Sequence, residues 1–229
     1  YMSDQLWRLT PHSKKAHFRI LNMRQLAIKK YEKRIRKNPD FRGILEARIT
    51  RKGRWVINEL PLEFYMAGLG EIPESFAYQA HKAQQVAART YAYYMLKSGG
   101  RELSSKRHAK RDFHVRASAH DQVYLGLKQE KRAKKSRKAA RATAGELVTY
   151  RGKVVPTFYF AHSDGRTRSS HRVWGGKRKP WLRSVRAEYD DGKRMFGHGV
   201  GMSQWDAAKR ARAEGLDYQE LLAYYYRGT

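Results

Sequence analysis

Three short segments of this chain carry residue types that can do acid–base or binding chemistry. The first is Gly68-Leu69-Gly70-Glu71-Ile72-Pro73-Glu74-Ser75, a turn-rich stretch that sets one carboxylate between glycines and a proline. Such a group either favours the N-terminus of a following helix by its charge or acts as a general acid. The second role requires neighbours such as Ile72 and Pro73 to desolvate Glu71 enough to hold a proton near neutral pH. The second segment is Phe196-Gly197-His198-Gly199-Val200-Gly201-Met202-Ser203-Gln204-Trp205-Asp206. Its alternate glycines let another chain or a ligand approach the backbone closely, and Ser203 with Asp206 spells a capping-box-like helix start. The competing reading is a tight strand-to-helix turn in which His198 is incidental.

The third segment, Ala161-His162-Ser163-Asp164-Gly165-Arg166-Thr167, places Ser, His and Asp in one polar turn. Triad members are assembled by the fold rather than by adjacency, which argues against a nucleophilic triad here. None of the nine histidines stands in a helical H-x-x-x-H pair. His114, His120 and Asp121 are the ligands to expect if a metal binds, but surface histidines are the better reading.

The elements that must position these groups follow from periodicity and punctuation. Ile44 to Thr50 and Arg54 to Asn58 flank Arg51-Lys52-Gly53, a hairpin signature. Leu62 to Ala67 reads as a further strand. Phe76 to Lys97 carries small and aromatic residues at helical spacing, with Ser75 as its N-cap and Ser98-Gly99-Gly100 as its stop. A basic, His-containing loop runs to about His120. Lys128 to Arg141 reads as a helix with eight basic residues and one acid, followed by strands at Glu146 to Tyr150 and Val154 to Phe160. Helices at Ser203 to Glu214 and Tyr218 to Tyr226 close the chain. Between Arg8 and Arg42, twelve Lys or Arg face two acids, with apolar residues at mixed helical spacings ended by Asn38-Pro39. The expected organisation is a basic helical extension over 1–42 and a domain over 43–229. The expected fold class is α+β, with a mixed, mainly antiparallel sheet and peripheral helices.

Composition removes several function classes. The 229 residues include 49 Lys or Arg against 21 Asp or Glu, a formal charge of +28, and no Cys. Disulfides, thiolate nucleophiles and Cys-based metal sites are excluded. No run of about 18 apolar residues occurs, so no membrane span is expected, and the first ten residues lack the layout of a secretion signal. A chain this basic attracts a polyanion: nucleic acid, an acidic membrane surface or a carboxylate-bearing polysaccharide. No basic-aromatic nucleic-acid module is recognisable, which makes nucleic acid the weaker choice.

In order and spacing the motifs together resemble the stage II sporulation protein D (SpoIID/LytB) family. The resemblance runs through Ile57-Asn58-Glu59-Leu60-Pro61, Gly70-Glu71-Ile72-Pro73, Lys82-Ala83-Gln84, Val86-Ala87-Ala88-Arg89-Thr90-Tyr91 and Gln122-Val123-Tyr124-Leu125-Gly126. It continues through Val173-Trp174-Gly175-Gly176, Leu182-Arg183-Ser184-Val185, His198 to Trp205 and Tyr224 to Thr229. It implies a lytic transglycosylase that cleaves peptidoglycan glycan strands, preferentially those stripped of stem peptides, to 1,6-anhydromuramic products. Glu71 would be the single general acid/base, and Arg89, close to it, would bind a sugar or lactyl oxygen. Lys82, Ser163, His198, Ser203 and Gln204 would line the cleft. The family often carries Cys and His before Gln-Val-Tyr, apparently for zinc; here only His120 matches, so no cofactor is expected and zinc is doubtful. Asp164-Gly165 stands in place of a Gly-Gly pair, and Asp206 in place of a Gly. The implied location is outside the cytoplasm, in periplasm, wall or medium. A non-catalytic wall-glycan or polyanion binder is the alternative, and oligomeric state is not legible.

Overall fold

The computed structural model describes residues 5–13, 15–21, 24–25, 36–37, 39–50, 53–98 and 113–229. It is an α+β fold whose sheets are small and mainly antiparallel. The chain divides into two compact units, Tyr1–Glu71 with Val115–Arg137, and Ile72–His114 with Lys138–Thr229.

In the first unit, β1 (Gln5–Leu9), β6 (Ile44–Thr50) and β7 (Gly53–Glu59) form an antiparallel sheet in the order β1-β6-β7. Register runs from Ile44 opposite Glu59 to Thr50 opposite Gly53, as the hairpin signature required, and Gln5 to Leu9 lie opposite Ile49 to Leu45. Four two-residue strands lie between β1 and β6: β2 (Phe18–Arg19) pairs with β5 (Asp40–Phe41), and β3 (Arg24–Gln25) with β4 (Arg36–Lys37). The expected helical extension over 1–42 is thus corrected: its described elements are strands. The helical spacing through Ile28, Tyr31 and Ile35 lies outside the described residues. On either side of the boundary expected near Gly43, β1 and β6 pair along the whole length of β1. The reason is pairing and charge. A hairpin edge offers unpaired backbone groups, and Arg8 reaches both Glu46 and Glu59 once β1 occupies that edge.

A second correction is α1 (Leu62–Ala67), expected as a strand. Pro61 opens it, its carbonyl accepting from the N–H of Phe64 and Tyr65 at 3.0 and 3.1 Å, and proline's fixed φ and missing N–H suit a helix start. Tyr65, Met66 and Ala67 are buried in succession, which a strand packed on one face cannot do. A second helix described in this unit, α3 (Leu127–Arg132), is pinned by a bidentate Arg42–Glu130 pair, both bonds 2.8 Å. The basic run read as one helix is broken at Ala133, where α4 (Lys134–Ala142) follows.

The second unit is organised by α2 (Tyr78–Ser98). Its face of Ala83, Val86 and Ala87 packs with Ala207, Leu221, Leu222, Tyr225 and Tyr226 of the C-terminal segment and with Val148, Leu182, Val200 and Met202. Alanines on α2 permit that close approach, so the helix is held by packing more than by propensity. Phe76 N–H bonds the Pro73 carbonyl in a turn, and α2 begins only at Tyr78 with His81 N–H on the Ala77 carbonyl, so Ser75 is not its cap. After β8 (Thr149–Tyr150) and β9 (Lys153–Val154), a short antiparallel pair, β10 (Tyr159–Phe160) runs parallel to β11 (Met202–Ser203). Around them sit α5 (Ser170–Trp174), a 3₁₀ turn at Glu188–Asp190, α6 (Gln204–Ala213) and α7 (Tyr218–Tyr225). A full capping box of Asp217 and Glu220 starts α7.

Candidate functional site

Glu71 ends a segment that the glycines before it press against 122–125. A Cβ on Gly68 would enter the Tyr124 ring, and one on Gly70 would enter Leu125. With hydrogens there, Gly70 N–H reaches the Val123 carbonyl at 2.8 Å and Leu125 N–H reaches the Gly68 carbonyl at 2.9 Å. That ladder aims the Val123 N–H at Glu71 Oε1, 2.6 Å away. The carboxyl is therefore half-buried and fixed by a backbone donor rather than free to sweep solvent. Along the same segments, Tyr65 stacks on Tyr124 with centroids 5.0 Å apart, Tyr65 OH donates to Gln122 Oε1, and Tyr124 OH donates to Asn58 Oδ1. Asn58 in turn bonds the carbonyls of Arg42 and Ile44. The Ile57-Asn58-Glu59 and Gln122-Val123-Tyr124 motifs are thus the support on which Glu71 stands.

In the second unit the structure gathers Ser163 and Ser203 around a fully buried carboxylate, Asp190. Asp190 Oδ2 accepts from Ser163 N–H at 2.8 Å, Ser163 Oγ at 3.2 Å and Ser203 Oγ at 2.5 Å, while Oδ1 takes the Lys193 ammonium at 2.7 Å. Ser203 is the N-cap residue of α6 but makes no side-chain cap bond. The capping-box reading is corrected here: Ser203 turns to Asp190, and Asp206, buried, accepts from Tyr189 N–H at 3.0 Å, from the Tyr225 hydroxyl and from Arg210 Nε at 3.4 Å. Burial, opposed by those donors, leaves the Asp206 carboxyl above its ordinary pKa.

His198 sits among the rings of Phe158, Phe160 and Trp174, at centroid distances of 6.1, 5.7 and 5.1 Å. Its Nδ1 accepts from Val200 N–H at 3.0 Å. Burial pushes the imidazole down to about 4, against a smaller opposing effect of a bond to the Tyr159 backbone. It is a neutral ring with a fixed tautomer at neutral pH. The alternate glycines serve close approach as expected: Gly201, at φ +79°, runs so near the Phe158 carbonyl that a Cβ would collide with it. Gln204 Nε2 donates to Gln84 Oε1 at 3.2 Å, and the Lys82 ammonium lies 3.8 Å from the Tyr218 ring centroid.

A model of the family described as stage II sporulation protein (SpoIID) matches residues 50–150. A stage II sporulation protein D of Bacillus subtilis (strain 168) is 28% identical over 79% of this chain and 77% of its own length. An uncharacterised protein of Brachyspira hyodysenteriae (strain ATCC 49526 / WA1) is 36% identical over 76% of this chain and 67% of its own. The chain belongs to the SpoIID family. A second stage II sporulation protein D, from Bacillus amyloliquefaciens, is 28% identical over 62% of this chain and 43% of its own length. SpoIID membership supports a role related to the cell wall.

The matched stretch contains Glu71, Lys82 and Arg89, whereas Ser163, His198, Ser203 and Gln204 lie beyond it. Within this SpoIID chain Arg89 is buried to 1% exposure. Its guanidinium donates to the Ala140 carbonyl at 2.9 Å and to Thr143 Oγ1 at 3.3 Å, a cation set on the C-terminal end of α4. His114 and His120 are exposed, His120 Nδ1 lies 3.3 Å from Ser118 Oγ, and Asp121 Oδ2 accepts from Arg116 N–H at 2.8 Å. No group of three or more His, Asp or Glu among the described residues is arranged around a common metal position. Asp121 is engaged in a turn, and among the described residues His114, His120 and Asp121 are not gathered as a ligand set. His162 pairs through its backbone with Phe196 and Asp164 is bound to Arg168, so His162, Ser163 and Asp164 do not assemble as a triad.

Sequence reasoning missed Asp190 and Lys193. The signal was an acid pair before a glycine, Asp190-Asp191-Gly192, in a chain where acids are outnumbered by more than two to one. No helix among the described residues is long and apolar enough to cross a membrane.

Proposed function

We propose that this chain is a lytic transglycosylase of peptidoglycan acting outside the cytoplasm, with Glu71 as its one general acid/base and peptide-free strands as its preferred substrate. The observation that carries the reading is the setting of Glu71: a half-buried carboxyl with one oxygen fixed by the Val123 N–H at 2.6 Å. A hydrolytic glycosidase needs two carboxylates, one for the leaving group and one for water or the anomeric carbon. Cleavage by the muramyl 6-hydroxyl needs only one. The 6-oxygen bonds to C1 as the C1–O4 bond breaks, Glu71 gives its proton to the departing O4, and the proton from the 6-hydroxyl returns to Glu71. Water is neither consumed nor released.

Removing stem peptides frees a lactyl carboxylate on each muramic acid, and a chain of formal charge +28 suits the resulting polyanion. Ser163, Ser203, Gln204, Lys82, His198 and Arg89 are proposed as groups that shape the glycan site, held by the bonds described above. The test is mass spectrometry of products from peptide-free strands. Transglycosylation gives 1,6-anhydromuramic ends lighter by one water than hydrolytic ends. Glu71→Gln is expected to retain fold and glycan binding and to lose cleavage by at least ~100-fold, the usual scale of positioned proton transfer. Full activity in Glu71→Gln would remove Glu71 from the mechanism, and binding without any anhydro product would identify the chain as a glycan binder.

A further inference from the structure

A pocket of about 250 Å³ opens in the second unit, lined by Ser169, His171, Arg178, Lys179, Pro180, Leu182 and Arg183. No Asp or Glu lines it, yet three permanent cations and one imidazole do. The arginines that precede and follow this stretch behave differently: Arg168 is ion-paired with Asp164 at 2.7 Å and Arg186 with Asp191 at 2.9 Å. Cations crowded without counter-charge repel one another, and a bound anion relieves that repulsion. The walls are not loose. Leu182 is buried in the core, its N–H bonds the Lys179 carbonyl at 3.0 Å, and its carbonyl receives the Ser170 N–H at 3.2 Å. Ser169 Oγ accepts from Ser184 N–H at 3.1 Å, and Trp181 Nε1 donates to the Pro156 carbonyl at 3.1 Å. The Lys179 ammonium lies 5.5 Å from the Trp181 ring centroid, which helps hold it in place. Next along the chain, Ser170 Oγ is buried without a hydrogen-bond partner. Arg178 and Arg183 are exposed, as most basic residues of α4 are, but here they line a concavity with a fixed floor.

We infer that the pocket is an oxyanion subsite that seats a carboxylate of the glycan polymer, with Arg178 and Arg183 as its two principal donors. A planar guanidinium matches a carboxylate or phosphate in bidentate fashion, whereas Lys179 supplies a point charge. The inference rests on the peptidoglycan reading for the identity of the polymer; the anion chemistry stands on the pocket alone.

The test reads binding rather than turnover, at constant ionic strength. Three probes are titrated into the full chain: peptide-free glycan fragments, the same fragments with carboxyls reduced, and inorganic phosphate. Arg178→Gln/Arg183→Gln is expected to weaken binding of intact fragments about tenfold. A control of equal charge loss at exposed positions, Lys153→Gln/Arg227→Gln, is expected to change it less than about twofold. Reduced fragments should bind all three proteins alike. Phosphate should shift the amide resonances of residues 169–172, 179 and 181–183 in the parent chain and not in the double variant. Equal loss on reduced fragments, equal loss in the control, or no phosphate response would overturn the subsite. Phosphate binding without glycan binding would instead keep the subsite and sink the peptidoglycan reading.

Discussion

Replacing Asp190 with Asn changes one atom in a carboxylate that accepts four hydrogen bonds. Asp190 is fully buried, and its two oxygens accept four bonds, three on Oδ2 and the Lys193 ammonium on Oδ1. An amide can accept at only one of those positions. If its carbonyl takes the Oδ2 place, the NH₂ faces the Lys193 ammonium; if it is flipped, the NH₂ faces Ser163 N–H and both serine hydroxyls. Either way a donor meets a donor. Loss of a charge-assisted bond costs about 1.5–3 kcal/mol, and breaking a buried ion pair about 3–5 kcal/mol. The Lys193 side chain is 28% exposed, so water relieves part of its loss, and about 3 kcal/mol is expected. At about 2–4 °C per kcal/mol for a chain of this size, the melting transition should fall by roughly 6–12 °C.

The assay is urea denaturation of Asp190→Asn, Lys193→Gln and the double variant. Trp7→Phe and Trp55→Phe confine the emission to Trp174, Trp181 and Trp205 of the second unit. The cycle should give a coupling of about 1–2 kcal/mol between the two positions. A loss below about 1 kcal/mol, or no coupling, would refute the account in which the Lys193 ammonium holds charged the buried carboxylate that Ser163 and Ser203 share. Because Ser163 and Ser203 are oriented by Asp190, glycan binding should weaken in the same variant.

Two further outcomes follow from burial and backbone. His198 has its pKa lowered from 6.5 to about 4 by burial. As pH falls through 6.5 the unfolded chain binds a proton that the folded chain refuses, so stability present above 6.5 drains away until the folded pKa near 4. The ceiling is about 3 kcal/mol, read as the difference in unfolding free energy between pH 7 and pH 4.5; a His198→Phe chain with the same pH slope would contradict it. Gly201→Ala forces a Cβ at φ +79° into the Phe158 carbonyl. It should cost at least about 3 kcal/mol in denaturation, and a cost below about 1 kcal/mol would show that β10 and β11 can separate without penalty.

Local information determined much of this chain. The hairpin over 44–59, the long helix after Glu71 and the two closing helices follow from alternation, helical spacing and Gly or Pro punctuation, which need no distant partner. The carboxyl at Glu71, set between glycines and a proline, and the unbalanced positive charge were equally visible in the residues themselves.

Tertiary structure decided what depends on partners far along the chain. Leu62–Ala67 reads as a strand by itself, and burial of Tyr65, Met66 and Ala67 together selects helix. Gln5–Leu9 becomes a strand because β6 offers an edge and Glu46 and Glu59 receive Arg8. Ser203 leaves its expected cap role because Asp190, 13 residues earlier, presents a buried carboxylate to it. Sequence lists the donors and acceptors, but a buried polar group bonds whichever partner the fold brings within reach, since leaving it unpaired costs more than changing its role.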